Sequence, residues 1–72
     1  MPRYKVNNPD GTPIYATKHC DHPIKYLKFG SEVYSTTAPI DGPDGYGKVL
    51  KVTEVLDKDI YGWVYKSQLS NP

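Results

Sequence analysis

Four consecutive side chains, His19-Cys20-Asp21-His22, form the densest group of possible ligands and nucleophiles in the chain. Imidazole, thiolate and carboxylate are zinc donors, and a thiol beside an imidazole pairs a nucleophile with its base. The spacing works against both uses. On an extended chain neighbours point to opposite faces, so His19 and Asp21 share one side while Cys20 and His22 share the other. Gathering all four around one ion would need a tightly wound loop, and no other His or Cys exists to complete a tetrahedron. The expectation is a polar loop with no catalytic residue, no metal and no cofactor, whose Asp21 and His22 are free to make contacts. Asp41, Asp44, Asp57 and Asp59 could be read as acid–base or calcium groups. Each sits beside a turn-forming neighbour, however, and none has the ordered spacing of a calcium loop.

Aromatic residues offer a second kind of chemistry. The chain carries 7 Tyr, 1 Trp and 1 Phe; Tyr15, Tyr46, Tyr61 and Tyr65, with Trp63, exceed what one small core needs, so some must be exposed. Tyrosine combines a large contact area at low entropic cost with a hydroxyl for hydrogen bonding, which suits peptide or glycan recognition. The same rings could instead cover apolar strands on a tiny domain, and both readings stand at this level. Lys25-Tyr26-Leu27-Lys28-Phe29, together with Lys48 and Lys51, interleaves basic and aromatic residues as single-strand nucleic-acid binders do. A plain amphipathic strand explains the alternation more simply. With a net charge of only +1 there is no long-range field to draw in a polyanion, and no nucleic-acid partner is expected.

These residues must be positioned by few elements. A chain of 72 residues makes one domain, spanning 1–72, because so short a chain buries only about 60% of its unfolded surface. It has no room to enclose a reaction, which with the missing acid, base and nucleophile pairs argues against an enzyme. A single cysteine permits no intrachain disulfide and points to folding in a reducing compartment. No segment is apolar and long enough to span a membrane, and Met1-Pro2-Arg3-Tyr4 leads into nothing resembling a secretory signal. Synthesis in the cytoplasm without a signal peptide is the expectation.

With 7 Pro and 6 Gly, the segments between breakers are mostly too short for helices. Pro9-Asp10-Gly11 and Pro43-Asp44-Gly45 read as turn tips, and Gly30-Ser31 and Asp57-Lys58-Asp59 as further turns. Between them lie strand candidates at Tyr4–Val6, Pro13–Ala16, Ile24–Phe29, Glu32–Thr36, Tyr46–Leu56 and Ile60–Tyr65. Lys48–Tyr61 is the one stretch that could be helical. Its β-branched Val49, Val52, Thr53 and Val55 favour a strand, with Leu50, Val52 and Leu56 on one face. The fold class predicted is all-β, a small barrel of five to six short strands.

The C-terminal run Gly62-Trp63-Val64-Tyr65-Lys66-Ser67-Gln68-Leu69 resembles the closing strand and short helical turn of bacterial SH3-like domains. Gly45-Tyr46-Gly47-Lys48-Val49 looks like that family's Gly-Trp-Tyr-Lys-Val strand, with Tyr46 in place of Trp. Tyr26-Leu27-Lys28-Phe29-Gly30-Ser31-Glu32-Val33-Tyr34 is similar to the family segment that runs into Lys-Gly-x-x-Val. The resemblance covers roughly Pro13 to Leu69. It departs from the family at Pro13-Ile14-Tyr15-Ala16, where Leu-Asn-Val-Arg is usual. It implies an SH3-like barrel in which Gly62 permits a close approach, Val64 points inward and Leu69 plugs the open end.

For function, the resemblance implies recognition without catalysis. Bacterial and phage relatives are commonly targeting modules of cell-wall hydrolases, so a cell-wall peptide is the first partner expected, bound at the cell wall. The alternative is a cytoplasmic protein-docking adaptor or inhibitor. Polyproline binding in the manner of signalling relatives is not expected, because Gln68 stands where an aromatic residue would stack on proline. In such barrels the long first hairpin and the later loops share one side. The binding groove is therefore expected between Thr17–Pro23 and Ile40–Tyr46, with Tyr15, Tyr46 and Tyr65 as aromatic contacts and Asp21, His22 and Asp44 as polar rim. Trp63 belongs either to its floor or to the core.

Overall fold

Turn chemistry sets the strand boundaries. A computed structural model describes residues 2–43 and 45–71; Asp44, one of the expected rim residues, lies outside the described residues. The elements run β1 (Arg3–Val6), β2 (Thr12–Tyr15), β3 (Pro23–Leu27), β4 (Glu32–Tyr34), β5 (Ile40–Asp41), β6 (Lys48–Glu54) and β7 (Tyr61–Tyr65), then a 3-10 helix (Lys66–Gln68) and β8 (Leu69–Ser70). The amide of Gly11 donates to the Asn8 carbonyl across the first predicted turn, that of Ser31 to Lys28 and that of Ile60 to Asp57. Gly11 and Gly30 take φ of 81° and 83°, a region that a side chain makes costly.

All pairings are antiparallel, in the order β3-β2-β7-β6-β4-β1-β8, with β5 on β6. Among the described residues no ladder joins β3 to β8, so the strands make an open eight-stranded antiparallel sheet. Five to six strands were expected; the two added are β5 and β8, each only two residues long. β4 and β5 share one edge of β6, pairing with its two ends. In the gap between them the buried Ser35 hydroxyl donates to the Lys51 carbonyl at 2.7 Å and accepts from the Thr37 amide at 3.2 Å. An unpaired carbonyl is thereby satisfied where the ladder changes strands.

Alternation along each strand divides the molecule into an inner and an outer face. Val6, Ile14, Leu27, Val33, Leu50, Val52, Val64 and Leu69 point inward and form the core, drawn from every strand except β5. Burial of each stabilises by about 1.5–3 kcal/mol. Gly62 also faces inward, where a Cβ would overlap the Tyr15 carbonyl oxygen. Two expectations about β6 need correction. Leu56 is 94% exposed, because the ladder stops at Glu54 and the chain bends before Leu56 could continue the core face. Tyr46 lies outside the strand, which begins at Lys48. Val49, on the outer face, is nevertheless fully buried, with Gly42 against its side chain.

Candidate functional site

The outer face of β7 presents Tyr61, Trp63 and Tyr65 in alternation, and register places Tyr15 of β2 opposite Trp63. Tyr15 and Tyr65 meet edge to face, ring centroids 6.1 Å apart at 79°. Tyr46 meets the other side of Tyr65 at 6.0 Å and 45°. Edge-to-face pairs of this kind contribute about 0.5–1.5 kcal/mol beyond their burial. Of the expected site residues, the structure therefore brings Tyr15, Tyr46 and Tyr65 into one cluster. Tyr46 remains 68% exposed and can offer its ring to a ligand.

Two loops converge on this cluster. The first is the tip of the β2–β3 hairpin, closed by the Ala16 amide donating to the His22 carbonyl at 2.9 Å and by a turn from Thr17 to Cys20. The Thr17 hydroxyl caps it, accepting from the His19 amide at 3.2 Å and donating to the Asp21 carboxylate at 3.1 Å. Cys20 adopts φ 55°, the left-handed conformation, at the tip. Its thiol lies 3.9 Å from the Lys18 carbonyl and is near enough to Tyr65 for each group to shift the other's ionisation. Asp21 and His22 are exposed and engage each other, the His22 Nδ1 lying 3.7 Å from the carboxylate and 2.7 Å from the Asp21 carbonyl. They lie next to Cys20 in the chain, and among the described residues neither hydrogen-bonds to Tyr15, Tyr46 or Tyr65.

The second loop carries Tyr46. Its entry is held by an ion pair of 2.6 Å between Lys48 and Asp41, which holds the Asp41 carboxyl below its ordinary pKa. The Gly42 amide donates to the Gly47 carbonyl at 2.9 Å, and the Tyr46 amide to Pro43 at 3.1 Å. The segment thus forms a closed loop across the base of β6.

The electrostatics of the cluster favour neutral groups. Burial pushes Tyr65 up to about 12, helped by the nearby Cys20 thiol and by repulsion from Tyr15 and Tyr46 once ionised. Burial likewise raises Tyr15, with Cys20 and Tyr26 adding to it. Burial raises the Cys20 thiol as well, with the Tyr65 hydroxyl pulling the other way. A thiol so placed is protonated at neutral pH and a weak nucleophile. Among the described residues no three His, Cys, Asp or Glu side chains gather as metal ligands.

Trp63 is half-buried on the outer face, paired across the ladder with Tyr15, beside Tyr61, Lys51 and Ile24 and outside the core. Gln68 is bound by Asn8, whose amide donates to its side-chain oxygen at 2.9 Å. Sequence reasoning overlooked Cys20 as a neighbour of Tyr65, since the two lie far apart in the chain. No protein family, no curated protein and no solved structure matches the chain.

Proposed function

We propose that this domain is a non-catalytic binding module with an SH3-like barrel, and that its tyrosine groove recognises a peptide of the bacterial cell wall. The observation that carries the reading is the Tyr15–Tyr65–Tyr46 cluster where two loops meet. Rigid aromatic faces beside an exposed polar loop suit a short extended peptide, which gains apolar contact from the rings and orientation from Asp21 and His22. The barrel reading draws support from the backbone beyond the ladders. The Val6 amide donates to Ser31 and its carbonyl accepts from Gly30, both at 2.9 Å, while the Asn7 amide reaches Gln68 at 2.9 Å. These bonds draw β1 and β8 toward the turn after β3. Engagement of Gln68 by Asn8 also disfavours polyproline stacking.

Co-sedimentation with purified peptidoglycan tests the proposal. The parent domain should pellet with it, and Tyr46→Ala should weaken retention about tenfold or more, as loss of an aromatic anchor does. A domain that stays in the supernatant refutes the cell-wall reading.

A second reading, docking to a protein, is favoured by β3. Pro13 has no amide proton, so its pairing with Tyr26 is a non-hydrogen-bonded one. The amide and carbonyl of Tyr26 consequently point to the open edge of the sheet. The Ile24 and Tyr26 side chains are 53% and 61% exposed. An apolar edge of this kind is a template for strand addition. Under this reading Tyr26→Ala, and not Tyr46→Ala, abolishes binding of the partner.

A further inference from the structure

Beside the tyrosine cluster, and separate from it, a groove of about 390 Å³ runs along the outer face of β7, lined by Trp63, Tyr61, Ile24, Ala16, Lys51, Asp59 and the bare backbone of Gly62. Its walls are aromatic and aliphatic, and its two charged members have opposite sign. The described ion pairs use Arg3, His22, Lys25, Lys48, Asp21, Asp41, Glu32 and Glu54, and among the described residues no side chain pairs with the Lys51 ammonium or the Asp59 carboxylate.

Register explains why they fail to find each other. Lys51 lies opposite Trp63 and Thr53 opposite Tyr61, while Asp59 stands two residues before Tyr61 in the turn. At about 3.3 Å per residue, the step from Trp63 to Tyr61 covers roughly 6.6 Å and Asp59 lies up to as far again beyond. The groove therefore has Lys51 level with Trp63 at one end, Tyr61 in the middle and Asp59 at the other end.

We propose that this groove binds a zwitterionic ω-amino carboxylate, the group that a peptide presents at a C-terminal lysine. The carboxylate pairs with Lys51, the methylenes lie along Trp63 and Tyr61, and the ammonium reaches Asp59. A ligand with only one charge leaves one end of the groove unmatched, and one without an aliphatic spacer leaves the rings uncovered.

Trp63 is the chain's 1 Trp, so its fluorescence reports this groove directly. Titration with ε-aminocaproate should change the emission saturably. At equal concentrations N-acetyl-ε-aminocaproate, which lacks the ammonium, and hexylamine, which lacks the carboxylate, should not. Asp59→Asn and Lys51→Gln, both on exposed side chains, should each weaken binding by at least about fivefold, and Lys58→Gln, in the same turn but outside the groove, should leave it unchanged. No saturable change, equal binding of the capped probes, or parent-like affinity in both the Asp59 and Lys51 variants overturns the proposal.

Discussion

Replacing Gly62 by alanine should unseat the β2–β3 hairpin from the rest of the sheet. Two effects compete. Glycine inside a strand ordinarily costs stability, so alanine would be favoured by about 0.5–1 kcal/mol through the unfolded chain alone. Against this, the new methyl would overlap the Tyr15 carbonyl oxygen and lie 3.2 Å from the Ile14 side chain. Backbone cannot rotate aside as a side chain can, and β2 is joined to β7 through a single register pair, Tyr15 with Trp63. Overpacking of this kind costs about 1–3 kcal/mol or more, so the net change should be a loss of roughly 2 kcal/mol, since the clash is with main chain. A chain this size has about 4–11 kcal/mol in total. Thermal unfolding followed by circular dichroism should show the midpoint falling by about 8–16 °C, with loss of near-ultraviolet signal from the Tyr15–Tyr65 pair. An unchanged or raised midpoint would refute the reasoning, because it would mean that the close approach of β2 to β7 does not constrain the fold.

Three other outcomes are expected. Tyr65, whose pKa burial raises to about 12 from an ordinary 10.0, should resist ionisation in the folded protein: at pH about 11 roughly a tenth of it is tyrosinate, against about nine tenths of an unperturbed tyrosine. Because the folded value exceeds the unfolded one, this contribution to stability is complete below pH about 10 and is lost as pH rises toward about 12; ultraviolet titration of the parent against Tyr65→Phe checks both. Ser35→Ala leaves the Lys51 carbonyl without its donor and should cost about 1–3 kcal/mol in urea unfolding. Leu50→Ala, at a fully buried core position, should cost about 2–5 kcal/mol by the same measurement.

Turns were legible because proline and glycine restrict or release φ locally, and the bonds at Gly11, Ser31 and Ile60 fall where those residues predicted them. The inward face of β7 was legible for a similar reason: Val64 is the apolar member of a strand whose neighbours carry rings. β5 and β8 were not, since a two-residue strand has no period to read and exists only because a partner is nearby. Leu56 misled because alternation in sequence continues past the point where the bend at residues 55–56 ends the ladder. The meeting of Tyr15, Tyr46 and Tyr65 was expected only through the resemblance to SH3-like domains, since spacing alone places no loop beside another. The proximity of Cys20 to Tyr65 could not be anticipated, because the two lie far apart in the chain and no pattern links them.

The burial of Val49 ties the loop that carries Tyr46 to an opening equilibrium of its own. Val49 belongs to no part of the main core; it is covered on the outer face by Gly42, whose loop also carries Tyr46. Lifting that loop exposes one valine and breaks the Gly42–Gly47 bond and the Lys48–Asp41 pair, while every core contact stays in place. Such a segment exchanges its amide protons by sub-global opening, at a free energy well below that of global unfolding. If, as proposed, Tyr46 holds a ligand in the closed form alone, occupancy should slow exchange at Gly42 and Tyr46 while leaving Leu50 and Val64 at the rate set by global unfolding. Under the proposed function, the affinity of the tyrosine cluster would thereby be adjustable from Val49, a buried residue behind the loop.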